Sequence, residues 1–289
     1  MAWAAERGEL IEGTILEGKY LPSALVPRKI MFGVPHKGTA SFGFIGGLRT
    51  MQMPYDFVDC YSADAPIDIS RNVICTRCLQ TNCDYLFFVD SDILLRPDTL
   101  VKLLQDDFPI ISAVYRGRSE PYPLVARIDG QALTGDMVRQ IEEDAAKQAG
   151  GNVRKTIEVE EVGMGCILIH RLVLLRLAQQ QNEWRCLLDH RRDAGRAVIK
   201  YTNEEARKRN WKCKHCDNIL LCNFFEYKIQ TGDQDSRSED FVFCQRARAA
   251  GFHILIQLDN VVTHETNPWR VDEKGLINPS VDSAVKVTA

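Results

Sequence analysis

The sequence predicts an α/β protein built around a mostly parallel sheet. Through the first 125 residues, apolar runs of strand length alternate with segments of helical pattern, as in proteins whose parallel strands are joined by helices. The most informative run, Tyr85 to Val89, ends directly in Asp90-Ser91-Asp92. Ligands of open α/β sheets bind just beyond the carboxyl ends of the strands, so the sequence places a candidate site at this point.

The first half of the chain supplies most of the predicted parallel strands. Their short length and their content of β-branched and aromatic residues are typical of buried strands. Pro97 opens a helix at a position in the first turn where proline is tolerated. The predicted strands lie at 29–34, 57–61, 85–89 and 108–115, and the predicted helices lie at about 41–53 and 69–81 and from 97 onward.

The second half is less regular. Residues 156–162 alternate in polarity as a half-exposed strand does, and residues 163–170 continue as an apolar strand. Helices are predicted at 172–180 and at 239–251, the second closed by Gly251, and a last strand is predicted at 252–258. Residues 130–153 are polar, and we expect a loop there with its tip at Gly150-Gly151.

Composition narrows the class of protein. The 289 residues are 45% hydrophobic and 26% charged, which is ordinary for a globular protein, and the net charge of −3 argues against a general electrostatic binder of nucleic acid. No apolar run approaches the roughly 18–20 residues of a membrane span, and the N-terminus lacks a signal-peptide core. We therefore expect a cytoplasmic protein without a transmembrane segment.

Asp90 and Asp92 are candidate metal ligands. Two carboxylates spaced i, i+2 on extended backbone point in the same direction. A hard divalent ion, held by one or two carboxylates and completed by phosphate oxygens, fits this geometry. The alternative is a strand that ends in a polar turn, since Asp and Ser are ordinary turn residues.

Two further segments have both a functional and a structural interpretation. The helix after the second strand opens with Asp68, Arg71 and Asn72, and this arginine could contact a diphosphate bidentately or lie on the surface. In the second segment, Gly163 and Gly165 could let the backbone pass close to a ligand or could form a plain β-bulge.

Acidic and imidazole side chains near the C-terminal end of the chain complete the pattern. Glu239 and Asp240 follow Ser238 at a helix start. There they could interact favourably with the helix dipole, or one of them could act as a general base. His264 lies just beyond the last strand, and it could complete a metal shell or contact a phosphate. A solvent-facing loop histidine is the alternative for this residue.

Taken in order, these segments resemble the nucleotide-sugar-dependent glycosyltransferases of the GT-A fold, in particular the inverting family 2, over roughly residues 28–265. The resemblance implies a Rossmann-like sheet flanked by helices. It implies that Asp90 and Asp92 hold Mn²⁺ or Mg²⁺ on the diphosphate of a sugar nucleotide, with His264 near the metal. Asp240 would be the catalytic base, and Glu239 beside it would contact the acceptor.

The resemblance also implies a set of donor-binding residues and a reaction. The reaction is a single displacement at the anomeric carbon with inversion. The Gln-x-x-Arg-Trp segment of many family members is absent, which favours the non-processive branch. Besides Asp90 and Asp92, the implied donor-binding residues are Pro35, Asp68, Arg71, Asn72, Ser91, Gly163 and Gly165.

The predicted domain organisation follows from the same pattern. Residues 1–27 are expected to be an N-terminal extension, residues 28–270 the glycosyltransferase domain and residues 271–289 a tail. Within the domain, 28–125 would bind the nucleotide sugar and 155–270 would face the acceptor. Residues 183–223 would be a basic, cysteine-containing insertion.

The insertion is a candidate zinc site. Cys213 and Cys216 form a Cys-x-x-Cys pair, and Cys186 and His190, spaced i, i+4, could supply two more of the four ligands that structural zinc requires. Cys222 and His215 are other candidate ligands, and reduced thiols without a metal are the alternative. A second Cys-x-x-Cys pair, Cys75 and Cys78, has apolar neighbours in a helix and is interpreted as core.

Other functions and acceptors stay open on the sequence. Residues 185–216 contain ten Lys/Arg and four Asp/Glu, so the insertion could attract an anionic acceptor such as modified DNA. Glycans, lipids and proteins are the other possible acceptors. The alternative functions are a zinc-stapled nucleic-acid-binding protein and a haloacid-dehalogenase-like phosphatase, although Leu94 stands where such phosphatases usually have Thr or Val.

Overall fold

The computed structural model describes most of the predicted domain. The described residues are 29–36, 40–53, 56–62, 65–117, 124–148, 156–186, 199–227, 238–265, 270–272 and 275–277. The predicted extension at 1–27, most of the predicted tail, the predicted loop tip Gly150-Gly151 and the candidate zinc ligand His190 lie outside this set.

The described residues form seventeen strands and seven helices. The strands are β1 Lys29–Pro35, β2 Asp56–Ser62, β3 Tyr85–Val89, β4 Ile93–Leu94, β5 Ile110–Val114, β6 Ala126–Ile128, β7 Gln131–Ala132, β8 Thr156–Val159, β9 Glu161–Val162, β10 Cys166–His170, β11 Trp184–Cys186, β12 Lys200–Tyr201, β13 Leu220–Leu221, β14 Ile254–Val261, β15 Thr263–His264, β16 Arg270–Asp272 and β17 Gly275–Ile277. The helices are α1 Phe42–Thr50, α2 Ile67–Gln80, α3 Thr99–Asp106, α4 Gly135–Gln148, α5 Arg171–Gln181, α6 Asn203–Lys208 and α7 Glu239–Ala249.

The main sheet has seven strands in the order β2-β1-β3-β10-β5-β14-β8. Five of them run in one direction, while β10 is antiparallel to both of its neighbours and β8 is antiparallel to β14. The predicted α/β class with a large, mostly parallel sheet is therefore confirmed. The narrower assignment to the GT-A fold stays a prediction.

The strand order changes direction between β1 and β3, so this is the topological switch point of the sheet. The chain leaves β1 to form β2 on one side, and then crosses back through α2 to form β3 on the other. Helices that leave in opposite directions open a crevice at the carboxyl ends of such strands, where ligands of α/β proteins bind. Pro35 ends β1, and Asp90 follows β3 at this edge of the sheet.

The core lies on both faces of the sheet, and β3 shows why its sequence is an uninterrupted apolar run. All five of its residues are buried. Leu86 and Phe88 pack with Ile74 of α2 in one apolar cluster, whereas Phe87 packs with Leu103 of α3 in the other. A strand covered on both faces has no solvent side on which a polar residue would be favourable.

Helix α4 occupies part of the segment predicted as a polar loop, so that prediction was wrong over the residues of this helix. The hydroxyl of Thr134, just before the helix, accepts a hydrogen bond from the backbone N–H of Met137 over 3.2 Å. Met137, Val138 and Ile141 pack against the core. Their i, i+1, i+4 spacing is a helical signal that the polar residues between them obscure.

The segment predicted as one strand at 156–162 is two strands in different sheets. β8 lies at the edge of the main sheet, whereas β9 pairs with β6. The change of partner occurs at Glu160, whose backbone N–H donates to the carbonyl of Arg127 over 2.8 Å. The strand predicted at 163–170 begins only at Cys166. None of the described helices is long and apolar enough to cross a membrane.

Gly33 of β1 is required by the close packing of α2 on the sheet. A Cβ atom at this position would lie 2.5 Å from Cγ2 of Ile74 and 3.0 Å from Cδ1 of Leu86. We expect Gly33→Ala to reduce the free energy of unfolding by about 1–3 kcal/mol, because the helix must shift to relieve the overlap.

Gly46 in α1 provides a matched control for this substitution. A Cβ atom there would meet nothing within 4 Å, so Gly46→Ala should be neutral or stabilising by up to about 1 kcal/mol. Urea unfolding of the two variants measures both effects. Equal midpoints for Gly33→Ala and the unsubstituted protein would contradict the packing argument.

Candidate functional site

The turn after β3 is held by backbone hydrogen bonds that position Asp90 and Asp92. The N–H of Asp90 donates to the carbonyl of Gly165 over 3.0 Å, and the N–H of Ile93 donates to the carbonyl of Asp90 over 3.1 Å. The turn leads into β4, which pairs antiparallel with β15, so that His264 lies opposite Ile93. This pairing brings His264, which is distant in the sequence, beside the two aspartates.

Asp90, Asp92 and His264 form a group that could hold a divalent ion. One ligand atom from each lies within 4.8 Å of the others, and all three residues are half-buried. Nδ1 of His264 is 2.7 Å from the carbonyl oxygen of Arg116. The tautomer that donates from Nδ1 to this carbonyl leaves Nε2 to face a metal, as is usual for metal-binding histidines. Two carboxylates and an imidazole suit Mn²⁺ and are compatible with Mg²⁺.

Arg71 lies beside this group and is buried, with 2% of its surface exposed. Its guanidinium contacts three carboxylates. Nη2 lies 3.2 Å from Oδ1 of Asp90, and Nη1 lies 2.6 Å from Oε1 of Glu239 and also bonds Oδ1 of Asp240. The alternative of a surface arginine is thereby excluded, and the two acidic residues of α7 are joined directly to Asp90.

Burial and the contacts between Arg71 and its carboxylates shift the pKa values of Arg71 and Asp240. Burial alone would lower the pKa of Arg71, but Asp240, Asp90 and Glu239 raise it above its ordinary value. Burial raises the pKa of Asp240 to about 7; Arg71 opposes the shift, and the negative charges of Glu239 and Asp90 reinforce it. Asp240 is thus poised to exchange a proton near neutral pH.

Asp240 is also oriented by the segment that contains the two predicted glycines. Its Oδ2 accepts a hydrogen bond from the backbone N–H of Met164 over 3.1 Å. The residue stands in the first turn of α7, whose N-cap position is occupied by Ser238 without a side-chain capping bond. Both carboxylate oxygens of Asp240 therefore have a hydrogen-bond donor, one from Arg71 and one from the backbone.

The two glycines allow a close approach to side chains of the site. A Cβ atom at Gly165 would lie 2.9 Å from Oη of Tyr115 and 3.3 Å from Oδ2 of Asp90, and one at Gly163 would overlap Tyr115 and Val125. Gly163 and Gly165 precede β10 and stand outside it. Any contact between this segment and a donor stays a prediction.

Helix α2 carries three predicted donor-binding residues, which have different surroundings. Asp68 lies one turn before Arg71, on the same side of the helix, and its Oδ1 is buried with no hydrogen-bond partner in the described part of the chain. Asn72 is buried and holds the backbone of Phe225, donating to its carbonyl over 2.8 Å and accepting from its N–H over 2.9 Å. The role of Asn72 seen here is therefore structural.

Pro35 and Ser91 lie at the same edge of the sheet. Pro35 is the last residue of β1 and is buried. The carbonyl of Ser91 accepts from the N–H of Ser41, whose side chain in turn caps α1 by accepting from the N–H of Phe44 over 2.9 Å. The turn that carries the aspartates is thus tied to the start of the first helix.

Two residues of the site were missed by the sequence reasoning. Tyr115 follows β5; its hydroxyl accepts from the N–H of Gly165 over 2.8 Å, and its ring meets the His264 ring edge-on at 4.9 Å. Its position after an apolar strand was an available signal. Phe225, whose ring lies 5.8 Å from the Arg71 guanidinium, follows an irregular segment and had no such signal.

Three of the four predicted zinc ligands also come together. Cys186, Cys213 and Cys216 place their sulfur atoms within 4.8 Å of one another. The alternative ligand Cys222 is bonded elsewhere, to Oε1 of Gln181. Cys75 and Cys78 are fully buried in the core, as expected.

Comparisons with known proteins leave the family open. No family model matches this chain, and no curated protein matches it either. Among solved structures, the crystal structure of A197 from STIV is similar at 14% identity and a TM-score of 0.34, over 51% of this chain and 67% of that one. A likeness of this size carries no argument about function.

Arg71 should be required for the stability of the folded chain. We expect Arg71→Met to cost about 3–5 kcal/mol at pH 8, because it leaves carboxylates buried without their cation. Without the guanidinium, the pKa of Asp240 in the folded state rises further above its unfolded value. Protonation of Asp240 at lower pH therefore removes part of the destabilisation that the substitution causes. The deficit relative to the unsubstituted protein should therefore shrink at pH 5.

Urea unfolding at the two pH values measures this deficit. Arg71→Lys is the matched control, since it keeps a cation but cannot contact three carboxylates in the same geometry, and its deficit should be smaller than that of the methionine variant. The same deficit at pH 5 and pH 8 for Arg71→Met would show that its cause is lost packing.

Proposed function

We propose that this protein is a metal-dependent glycosyltransferase that moves a sugar from a nucleoside-diphosphate sugar to an acceptor hydroxyl with inversion. The observation that supports it best is the bridge from Asp90 through Arg71 to Asp240. It brings a candidate metal ligand and a candidate base to the same crevice at the carboxyl end of the sheet. The two residues are 150 positions apart in the sequence, and their proximity is required by the proposed reaction.

The donor would bind through its diphosphate. Asp90, Asp92 and His264 would hold Mn²⁺ or Mg²⁺, which neutralises the charge that develops on the leaving diphosphate. The nucleoside would lie between the ends of β1 and β3, on the side of Pro35 and α2, where ligands of α/β sheets usually bind.

Asp240 would accept the proton of the acceptor hydroxyl. A general base works best when its pKa lies near the operating pH, and the pKa of about 7 for Asp240 meets this requirement. As the acceptor oxygen bonds to the anomeric carbon, the bond from that carbon to the diphosphate oxygen breaks and its electron pair leaves with the diphosphate. Arg71 and the N–H of Met164 would hold the carboxylate in position.

Asp240→Asn should abolish transfer and spare donor binding. We expect a loss of about 10²–10⁴-fold in rate, the usual contribution of a general base. The measurement is release of nucleoside diphosphate from a panel of sugar nucleotides with Mn²⁺, beside a binding titration. Asp136→Asn, on an exposed part of α4, is the control and should leave both quantities unchanged. Full activity of Asp240→Asn would remove the base assignment.

Asp92→Ala should weaken metal-dependent donor binding. In a thermal-shift panel of nucleoside diphosphates, the unsubstituted protein should be stabilised by its nucleotide with Mn²⁺ and much less after chelation. Loss of one carboxylate ligand should reduce the affinity by about tenfold or more, since even residues beyond the first ligand shell contribute 10–100-fold to metal sites. An unchanged affinity of Asp92→Ala at saturating Mn²⁺ would count against the metal assignment.

A further inference from the structure

The cysteine cluster in the insertion has the geometry of a metal site. Cys186 ends β11, and Cys213 and Cys216 lie in the turn that follows α6. The sulfur atoms of Cys186 and Cys216 are 3.5 Å apart, well beyond the roughly 2.05 Å of a disulfide bond. Tetrahedral sites with Zn–S bonds of about 2.3 Å place their sulfur atoms about 3.8 Å apart. The observed separation is close to the second value.

Hydrogen-bond donors surround the sulfur atoms. The backbone N–H of His215 points to Sγ of Cys213, and Nδ2 of Asn218 points to Sγ of Cys216, each over 3.5 Å. The hydroxyl of Tyr201 lies 3.3 Å from Sγ of Cys213. Hydrogen bonds of this kind around candidate ligand atoms are typical of the surroundings of a metal site.

The turn between the two cysteines is closed by its own backbone. The N–H of Cys213 donates to the carbonyl of Asn218 over 2.7 Å, and the N–H of Asp217 donates back to the carbonyl of Cys213 over 3.0 Å. Asp217 adopts a positive φ of 59°, a conformation that aspartate tolerates better than most residues. The backbone of the turn therefore fixes the positions from which the two side chains extend.

We propose that Cys186, Cys213 and Cys216 bind a structural zinc ion, and that this ion fixes the insertion against the carboxylates around Arg71. Three thiolates select zinc over the hard ions that suit Asp90 and Asp92. The zinc site is independent of the sugar-transfer proposal, because none of its ligands belongs to the donor or base sites. Zinc in a structural site takes four ligands, and in the described part of the chain these three cysteines are the ones that are grouped closely enough to serve.

A zinc ion would crosslink the small sheet of the insertion. Its sheet has the order β12-β11-β13, with strands of two or three residues. Trp184, Tyr201 and Trp211 form its apolar centre. An ion that joins the end of β11 to the turn before β13 would add a crosslink between these two short segments.

The insertion leads directly to the surroundings of Arg71. After β13, the chain runs through Cys222 to Phe225, whose backbone is held on both sides by Asn72. The Phe225 ring stacks on Phe243 of α7 at 4.7 Å and lies beside Arg71. Gln80 of α2 adds a second attachment, donating to the carbonyl of Asn210 over 2.8 Å. Loss of the ion should therefore loosen the segment that packs against Arg71.

The first experiment measures metal content in the full chain. We expect the purified protein to contain about one zinc per chain by mass spectrometry of the metal, and Cys213→Ser and Cys216→Ser to lose most of it. Cys60→Ser, which changes a half-buried cysteine of β2 outside the cluster, should keep its zinc. Asp92→Ala should keep it too, which separates this site from the proposed catalytic metal. Zinc retained in the Cys213 and Cys216 variants would overturn the proposal.

Cobalt substitution tests the same site without relying on the folding of a variant. Co²⁺ bound to the unsubstituted chain should give the intense visible bands of a tetrahedral site and a near-ultraviolet thiolate-to-cobalt charge-transfer band. Absence of these bands, or a Cys186–Cys216 disulfide found in the freshly purified protein under non-reducing conditions, would overturn the proposal.

Hydrogen exchange tests whether the zinc ion stabilises the segment at Phe225, which packs beside Arg71. Removing zinc with a thiol-directed mercurial and a chelator should speed exchange at the amide of Phe225 at least tenfold. The amide of Leu168, in the centre of β10, should be unaffected. Equal exchange at Phe225 with and without zinc would refute the structural coupling.

Discussion

A single buried guanidinium holds the candidate site together. Arg71 stands on α2 and contacts carboxylates from the end of β3 and from the start of α7. A buried charge without partners would cost several kcal/mol, so these three elements are constrained to one relative position. The candidate base therefore cannot move away from the candidate metal ligands without leaving buried charges unpaired.

The sequence predicted the parts of the site that local physics determines. The β3 run is apolar because both faces of the strand are covered, and its abrupt change to Asp90-Ser91-Asp92 marks where the chain leaves the core. α4 was missed because its polar face outweighs three apolar residues. The contact of Arg71 with Asp240 spans 169 positions, and no local pattern indicates a contact of that range.

Tyr115 and Asn72 show a second limit of sequence reasoning. A tyrosine after a strand can face solvent, and only the fold shows that Tyr115 fills the space left by two glycines. Asn72 had the expected position for a donor-binding residue, yet its side chain is engaged by the backbone of Phe225. Residue type and order predicted which segments would lie close together, but they did not predict the partner of each side chain.

The charges of the site explain why the proposed reaction would need a divalent ion. Asp90, Asp92, Glu239 and Asp240 bring four carboxylates to the crevice, and both Nη atoms of Arg71 are already engaged with three of them. A diphosphate that approached this arrangement alone would meet excess negative charge at close range. Since the guanidinium is committed to its carboxylates, a divalent ion held by Asp90, Asp92 and His264 would supply positive charge for the proposed donor. The proposed activity should therefore depend strictly on metal, because electrostatic repulsion would otherwise keep the donor out of the crevice.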